Sequence, residues 1–264
     1  MRLQIALFAA ATLSWVAAFA QIAPKTTPIS LAASPIHIEA SAEPGHTITQ
    51  SIHVFTEGLG ETLSVTVGDF QISPGGQGQF FKAGTLDRSA ARWFSITPSV
   101  FPLVKNGSQE VALTVSVPAD SRLHGTYWGI VFFNSTVRPS VGTLGVGTAG
   151  RVGVAVYINV GQGTVKAQAG NLKYTPQSRT FSYTFQNLGN TVLRPHPTLA
   201  LVDQSGKRFS NLDLSDFPVL PGGVYQGTYV LPQTVQLPSG PFLGVLTFEY
   251  GDHKLIAAQG SFRP

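Results

Sequence analysis

The septet Gly125-Thr126-Tyr127-Trp128-Gly129-Ile130-Val131 is answered 115 residues later (240 − 125) by Gly240-Pro241-Phe242-Leu243-Gly244-Val245-Leu246. The turn at Asn106-Gly107 returns at the same displacement (222 − 107) as Pro221-Gly222-Gly223. A repeat of this length means two copies of one domain, because solenoid units run only about 20 to 50 residues. What is repeated is strand grammar. Val111, Leu113, Val115 and Val117 alternate with Ala112, Thr114 and Ser116, Pro118 ends the run, and a second strand resumes after Gly125. Alternation bounded by Gly and Pro predicts half-buried strands joined by turns.

An earlier pair of marks, Gly58-Leu59-Gly60-Glu61-Thr62-Leu63 and Asn187-Leu188-Gly189-Asn190-Thr191-Val192, is displaced by 129 (189 − 60), so the first copy carries about 14 extra residues (129 − 115). The Gly-rich stretch Ser73 to Lys82 is expected to hold them as a long surface loop. Its adjacent Phe80 and Phe81 either fold back onto the domain or meet a partner. Further strands are expected at Ile36 to Ala40 and, with a bulge or a face switch, at His46 to Phe55. In the second copy they are expected near Val165 to Lys173, Thr180 to Gln186, Pro197 to Asp203, Val224 to Val230, Phe242 to Tyr250 and Lys254 to Phe262. Outside the N-terminus no stretch has helical periodicity. The fold class is therefore all-β: two tandem immunoglobulin-like antiparallel β-sandwich domains. Tyr127, two residues past Gly125, stands where such sandwiches place a tyrosine whose hydroxyl bonds the preceding corner, or is one more core aromatic.

The N-terminus is of another kind. Met1-Arg2 precedes an apolar run closing on Ala18-Phe19-Ala20, the pattern of a signal peptide over residues 1–20. Export to the periplasm or the extracellular space follows, with no stable membrane insertion once the segment is cleaved. Residues 21–33 form an unperiodic leader, 34–160 the first domain and 164–264 the second, with Gly161-Gln162-Gly163 as hinge. Zero cysteines in an exported chain exclude a disulfide framework, so each domain stands on its hydrophobic core.

Without Arg2 the chain has 16 basic residues (17 − 1) against 13 acidic, too thin and scattered an excess to imply nucleic acid. The six histidines show no metal-ligand spacing, and no nucleophile elbow, phosphate loop or dinucleotide fingerprint is present. No cofactor, metal or catalytic residue is expected. The chain reads as a non-enzymatic binding protein.

The cleanest alternation is Arg151 to Val160, where Val152, Val154, Val156, Ile158 and Val160 share one face. Ile96-Thr97-Pro98-Ser99-Val100, Leu103, Gly107, Val111 and Leu113, followed by the Tyr127-Trp128 strand, resemble the N-terminal domain of PapD-type periplasmic pilus chaperones. That resemblance implies two sandwiches set at an angle, the last strand of the first lending alternate side chains to an incomplete exported subunit. Val152, Val154, Val156 and Ile158 then face the client, following a mobile Asn134 to Gly150 loop; otherwise they fill the domain's own core. The family's basic anchors fall here near Ser34 or Pro35 and at Gly153, leaving Arg151 as substitute. Ser89-Ala90-Ala91-Arg92-Trp93-Phe94 and Val117-Pro118-Ala119-Asp120 also resemble Ig-like domains of WxL-type cell-surface proteins, which implies a structural or adhesive envelope protein instead.

Overall fold

The computed structural model describes residues 31–57, 60–135 and 150–264. The signal segment and residues 21–30 lie outside them. Ten strands build the first sandwich: β1 (Leu31–Ser34), β2 (His37–Ala42), β3 (Thr47–Thr56), β4 (Glu61–Ile72), β5 (Gly78–Lys82), β6 (Phe94–Thr97), β7 (Val100–Leu103), β8 (Ser108–Ser116), β9 (Gly125–Ser135) and β10 (Arg151–Val160). One sheet runs β1-β3-β8-β6; the other runs β2-β10-β9-β4-β5, with β7 also on β4. Leu31 to Ala33, expected in the leader, is thus already strand. Four residues ahead of a proline are too few for a pattern to be visible, and the chain changes sheets there.

Between the sheets Val111, Leu113 and Val115 of β8 meet Val131 and Phe133 of β9 and Val154, Val156 and Ile158 of β10, all buried. The outer face of the β8 sheet is polar. Thr47, Thr49 and Ser51 of β3 bond Ser116, Thr114 and Glu110 across the strands at 3.3, 3.3 and 2.6 Å. This is the hydrated face of a sheet with one side in water. The β3–β8 register is unbroken from Thr47–Ser116 to Phe55–Ser108 and burial alternates regularly along β3, so neither the bulge nor the face switch expected there is present. Among the described strands β2 and β10 pair in parallel, which departs from the antiparallel expectation.

The second sandwich comprises β11 (Ala167–Thr175), β12 (Thr180–Asn187), β13 (His196–Val202), β14 (Arg208–Asp213), β15 (Val224–Val230), β16 (Phe242–Tyr250) and β17 (Lys254–Phe262). Its sheets, β11-β12-β15 and β14-β13-β16-β17, repeat the orders β1-β3-β8 and β5-β4-β9-β10. Alternation finds six of these strands within a few residues and misses β14. Aromatic rings fill the core: Phe185 lies 5.1 Å from Phe248 and 5.8 Å from Tyr250, and Phe181 lies 5.5 Å from Phe262.

The repeat is built into the turns, one residue out from the sequence match. Asn106 (φ 52°) corresponds to Gly222 (φ 74°), a displacement of 116 (222 − 106). Gly107 donates to the Val104 carbonyl at 2.9 Å and Gly223 to that of Leu220 at 2.8 Å. The left-handed position takes Asn in one copy and Gly in the other, so matching Gly on Gly slips the register.

The Ser73 to Lys82 stretch is not a loop. Residues Gly78–Lys82 pair with Gly68–Ile72, and the hairpin recurs in the second copy as β13–β14. At its turn the displacement is 130 (206 − 76); by Asn106 it is 116. The 14 extra residues therefore lie between β5 and β7, in the segment carrying a 3₁₀ turn at Ala91–Trp93 and β6. Asp69, fully buried, holds this segment: it accepts the Thr85 and Leu86 amides at 2.7 and 2.9 Å and the Ser89 hydroxyl at 2.5 Å. Tyr127 and Trp93 are half-buried against each other, ring centroids 4.9 Å apart. The Tyr127 hydroxyl bonds no described residue, so the corner bond expected of it is not made.

Candidate functional site

Strand β9 sets the site. Its run Tyr127-Trp128-Gly129-Ile130-Val131-Phe132-Phe133 is apolar at nearly every position, and both its faces are covered. Tyr127, Val131 and Phe133 point between the sheets. Trp128, Ile130 and Phe132 form a second apolar cluster outside with Phe70, Tyr157 and, from the second sandwich, Leu220. The Trp128 indole donates to the buried Phe70 carbonyl at 2.7 Å.

Strand β10 lies between β9 and β2, and this corrects the expectation of a client-facing strand. Val154, Val156 and Ile158 are wholly buried in the first domain's own core, and Val152 is half-buried. What stays open is shorter. Strand β2 pairs only with Ala155 to Val160, so from Arg151 to Val154 no described strand pairs with β10 on that side, although β1 passes close to it. Ala155 donates its amide toward β2, to Ile36 at 3.3 Å. By the two-residue alternation of a strand, the Arg151 and Gly153 amides face the open edge. Ile36, at the point where the edge opens, is 74% exposed. Asn134 and Ser135, expected in the preceding loop, belong to β9; positions 136–149 lie outside the described residues.

Arg151 lies on the outer face with its guanidinium carbon 3.3 Å from the Phe132 ring centroid. Phe80 meets the same ring edge-on at 5.2 Å. Glycines clear the space. A Cβ at Gly153 would stand 2.9 Å from Ile130 Cδ1 and 3.1 Å from Phe132 Cε1, so a side chain at 153 would have to displace that packing. Phe80, still 54% exposed, has thus folded back onto the sheet. Phe81 follows on β5 opposite Asp69 and stands outside this ring stack.

Toward the hinge the outer face carries polar groups that join the sandwiches. Thr126 donates its amide to the Asn190 carbonyl at 2.7 Å and its hydroxyl to Asn159 Oδ1 at 2.6 Å, while accepting the Val192 amide at 2.9 Å. Asn159 donates on to Glu39 at 3.3 Å. Glu39 pairs with Arg194 at 3.3 Å, and Arg194 lies 4.9 Å over the Tyr157 ring. Burial pushes the Tyr157 phenol up, against the lowering pull of Arg194. Gly125 (φ 80°) abuts this contact: a Cβ there would stand 2.3 Å from the Asn190 carbonyl oxygen. On the other flank a cleft of about 570 Å³ is lined by Ile72, Leu86, Arg88, Trp128 and Leu220. Glu39, Thr126, Phe132, Arg194 and Leu220 escape sequence reasoning. The one available signal is the unbroken apolar run of β9, which marks a strand buried on both faces.

Among the described residues no cluster of three or more His, Cys, Asp or Glu could hold a metal ion, and no helix is long and apolar enough to cross a membrane.

The fold and edge so described are those of two Ig-like sandwiches in tandem. No protein-family model and no curated protein matches the sequence. Solved structures that are similar include one of a chaperone–tip adhesin complex of CFA/I fimbriae biogenesis, 9% identical over 86% of this chain and 97% of that one, TM-score 0.49. Another holds the Salmonella enterica SafA pilin with the SafB chaperone, 13% identical over 90% and 98%, TM-score 0.46. A third is the Pseudomonas aeruginosa CupB2 chaperone, 11% identical over 88% and 100%, TM-score 0.44.

Proposed function

We propose that the chain is an exported, non-enzymatic chaperone that takes an exported protein subunit by strand addition at the open Arg151 to Val154 edge of β10. The observation that carries this reading is the mismatch of β2 and β10: among the described residues the strand is paired on both sides from Ala155 onward and on one side before it. Amides and carbonyls that no described strand pairs, beside exposed Ile36, are a template for an extended segment. Arg151, laid on Phe132, holds a guanidinium close to that edge, suited to a carboxylate of the incoming chain. The core-facing valines set the strand's position and are not themselves offered.

The test is purification of the tagged chain from the envelope of its host. A single exported subunit is expected at one-to-one stoichiometry, with the Arg151 and Gly153 amides protected from hydrogen exchange in the complex. Arg151→Ala should reduce capture at least tenfold with no change in melting temperature. Recovery with wall or outer-membrane fragments instead, with those amides unprotected, would establish an envelope structural protein and overturn the reading.

A further inference from the structure

The hairpin turn between β4 and β5 reaches out of its own domain. The Gln226 amide of β15 donates to the Pro74 carbonyl at 2.7 Å. At Gly76 (φ 81°) a Cβ would stand 3.3 Å from Tyr225 Cε2. Tyr225 is itself fixed, its ring stacked on Phe217 at 3.7 Å. The equivalent turn of the second sandwich touches nothing comparable, and a Cβ at Gly206 (φ 84°) has no neighbour within 4 Å.

We propose that the β4–β5 hairpin is a strap that fixes the angle between the two sandwiches, independently of the function proposed above. The Thr126–Asn190 and Glu39–Arg194 contacts tie the domains on the β2-β10-β9 side of the outer face. Leu220 fills the middle. Without the strap the β4-β5 side would be free, and the second sandwich could pivot about the line of the other contacts. With it the junction is held at two separated flanks, which removes that rotation. Phe80 links the strap to the outer face of β9 and β10, since it sits on β5 and packs on the Phe132 ring that carries Arg151.

The experiment uses a chain with no native cysteines, so two introduced ones can be spin-labelled uniquely. Labels at exposed Thr49 and Gln259 report the distance between the sandwiches. Gln226→Pro removes the donated amide; that amide points away from β12, where proline is tolerated on an edge strand. A second variant replaces Ser73–Gln77 with an Asn-Gly turn, shortening the hairpin while keeping β5. Both are expected to broaden the distance distribution at least twofold with the circular dichroism spectrum unchanged. A native distribution in a folded Gln226→Pro protein, or in the shortened hairpin, overturns the proposal.

Discussion

In the first sandwich the hairpin turn closes with Ser73 donating to Gln77 at 2.8 Å and Gly76 donating to Ser73 at 2.8 Å; in the second Asp203 donates to Lys207 and Gly206 to Asp203, both at 3.0 Å. The two turns have one geometry and different surroundings. One is docked on the neighbouring domain and the other stands in solvent. The same contrast recurs elsewhere. Leu220 is 6% exposed because the outer face of β9 receives it, whereas its equivalent Val104 is 70% exposed. The last strand β10 is held between two neighbours, whereas β17 pairs with β16 alone. Duplication copies local structure, and which copy of a feature acts is decided by what lies next to it.

The largest effect should separate the last strands. Ile158→Ala is expected to cost about 2–5 kcal/mol and Val156→Thr about 1–3 kcal/mol, by emptying or polarising a sealed core. Leu255→Thr, on the exposed side of β17, should stay within about 0.5 kcal/mol. Denaturant titration measures all three. An unchanged midpoint for Val156→Thr would mean that β10 is not core.

Next comes the junction. Leu220→Ala should cost about 2–3 kcal/mol and split one calorimetric transition into two, as each sandwich melts by itself. Val104→Ala should do neither, with a shift within about 0.5 kcal/mol.

A smaller effect is expected at Tyr127. Its ring packs on Trp93 and its hydroxyl bonds no described residue. Tyr127→Phe should therefore change stability by less than about 0.5 kcal/mol. A loss of about 1 kcal/mol or more would mean the hydroxyl bonds a backbone group after all.

The smallest effects are electrostatic, with opposite signs in the two copies. His196 and His253 are raised above their ordinary value by hydrogen bonds to Asp216 and Glu249. A raised folded pKa gives stabilisation that is full below the unfolded value of about 6.5 and lost as pH rises through the folded value. The melting temperature of the second sandwich should therefore fall slightly from about pH 6 to about pH 8. Asp216→Asn should flatten part of that fall. In the first sandwich the Arg122 hydrogen bond lowers Asp120 to about 2. Its contribution is present above the ordinary carboxylate value and lost as pH falls through about 2. Both sets of groups lie at the surface, so solvent and salt screen them.

Strand positions were legible because alternation and turn residues are local codes. Val111 to Val117, Val152 to Val160 and Phe242 to Tyr250 each declare a face without help from distant residues. Strand β14 was not legible, because Arg208 to Asp213 is an edge with little apolar alternation and earns its partner β13 only through the preceding turn. The size of the first copy's insertion was readable from two displacements. Its place was not, since the Gly-rich hairpin looked the more loop-like of two candidates while the segment held by Asp69 offers only Gly84 and Pro98 as turn residues.

The sequence by itself determined two all-β sandwiches with a shared strand pattern, with Arg151 to Val160 as a regular strand and no metal-ligand or nucleophile pattern. Tertiary structure alone decided which face of that strand is spent inside. Alternation states that Val152, Val154, Val156 and Ile158 share a side, but the side is set by whether a second sheet covers it and by how far β2 runs alongside. Only the folded chain brings His37–Ala42 against Ala155–Val160 and stops there. Pairing between segments more than a hundred residues apart depends on burial of both partners at once, which no local pattern encodes.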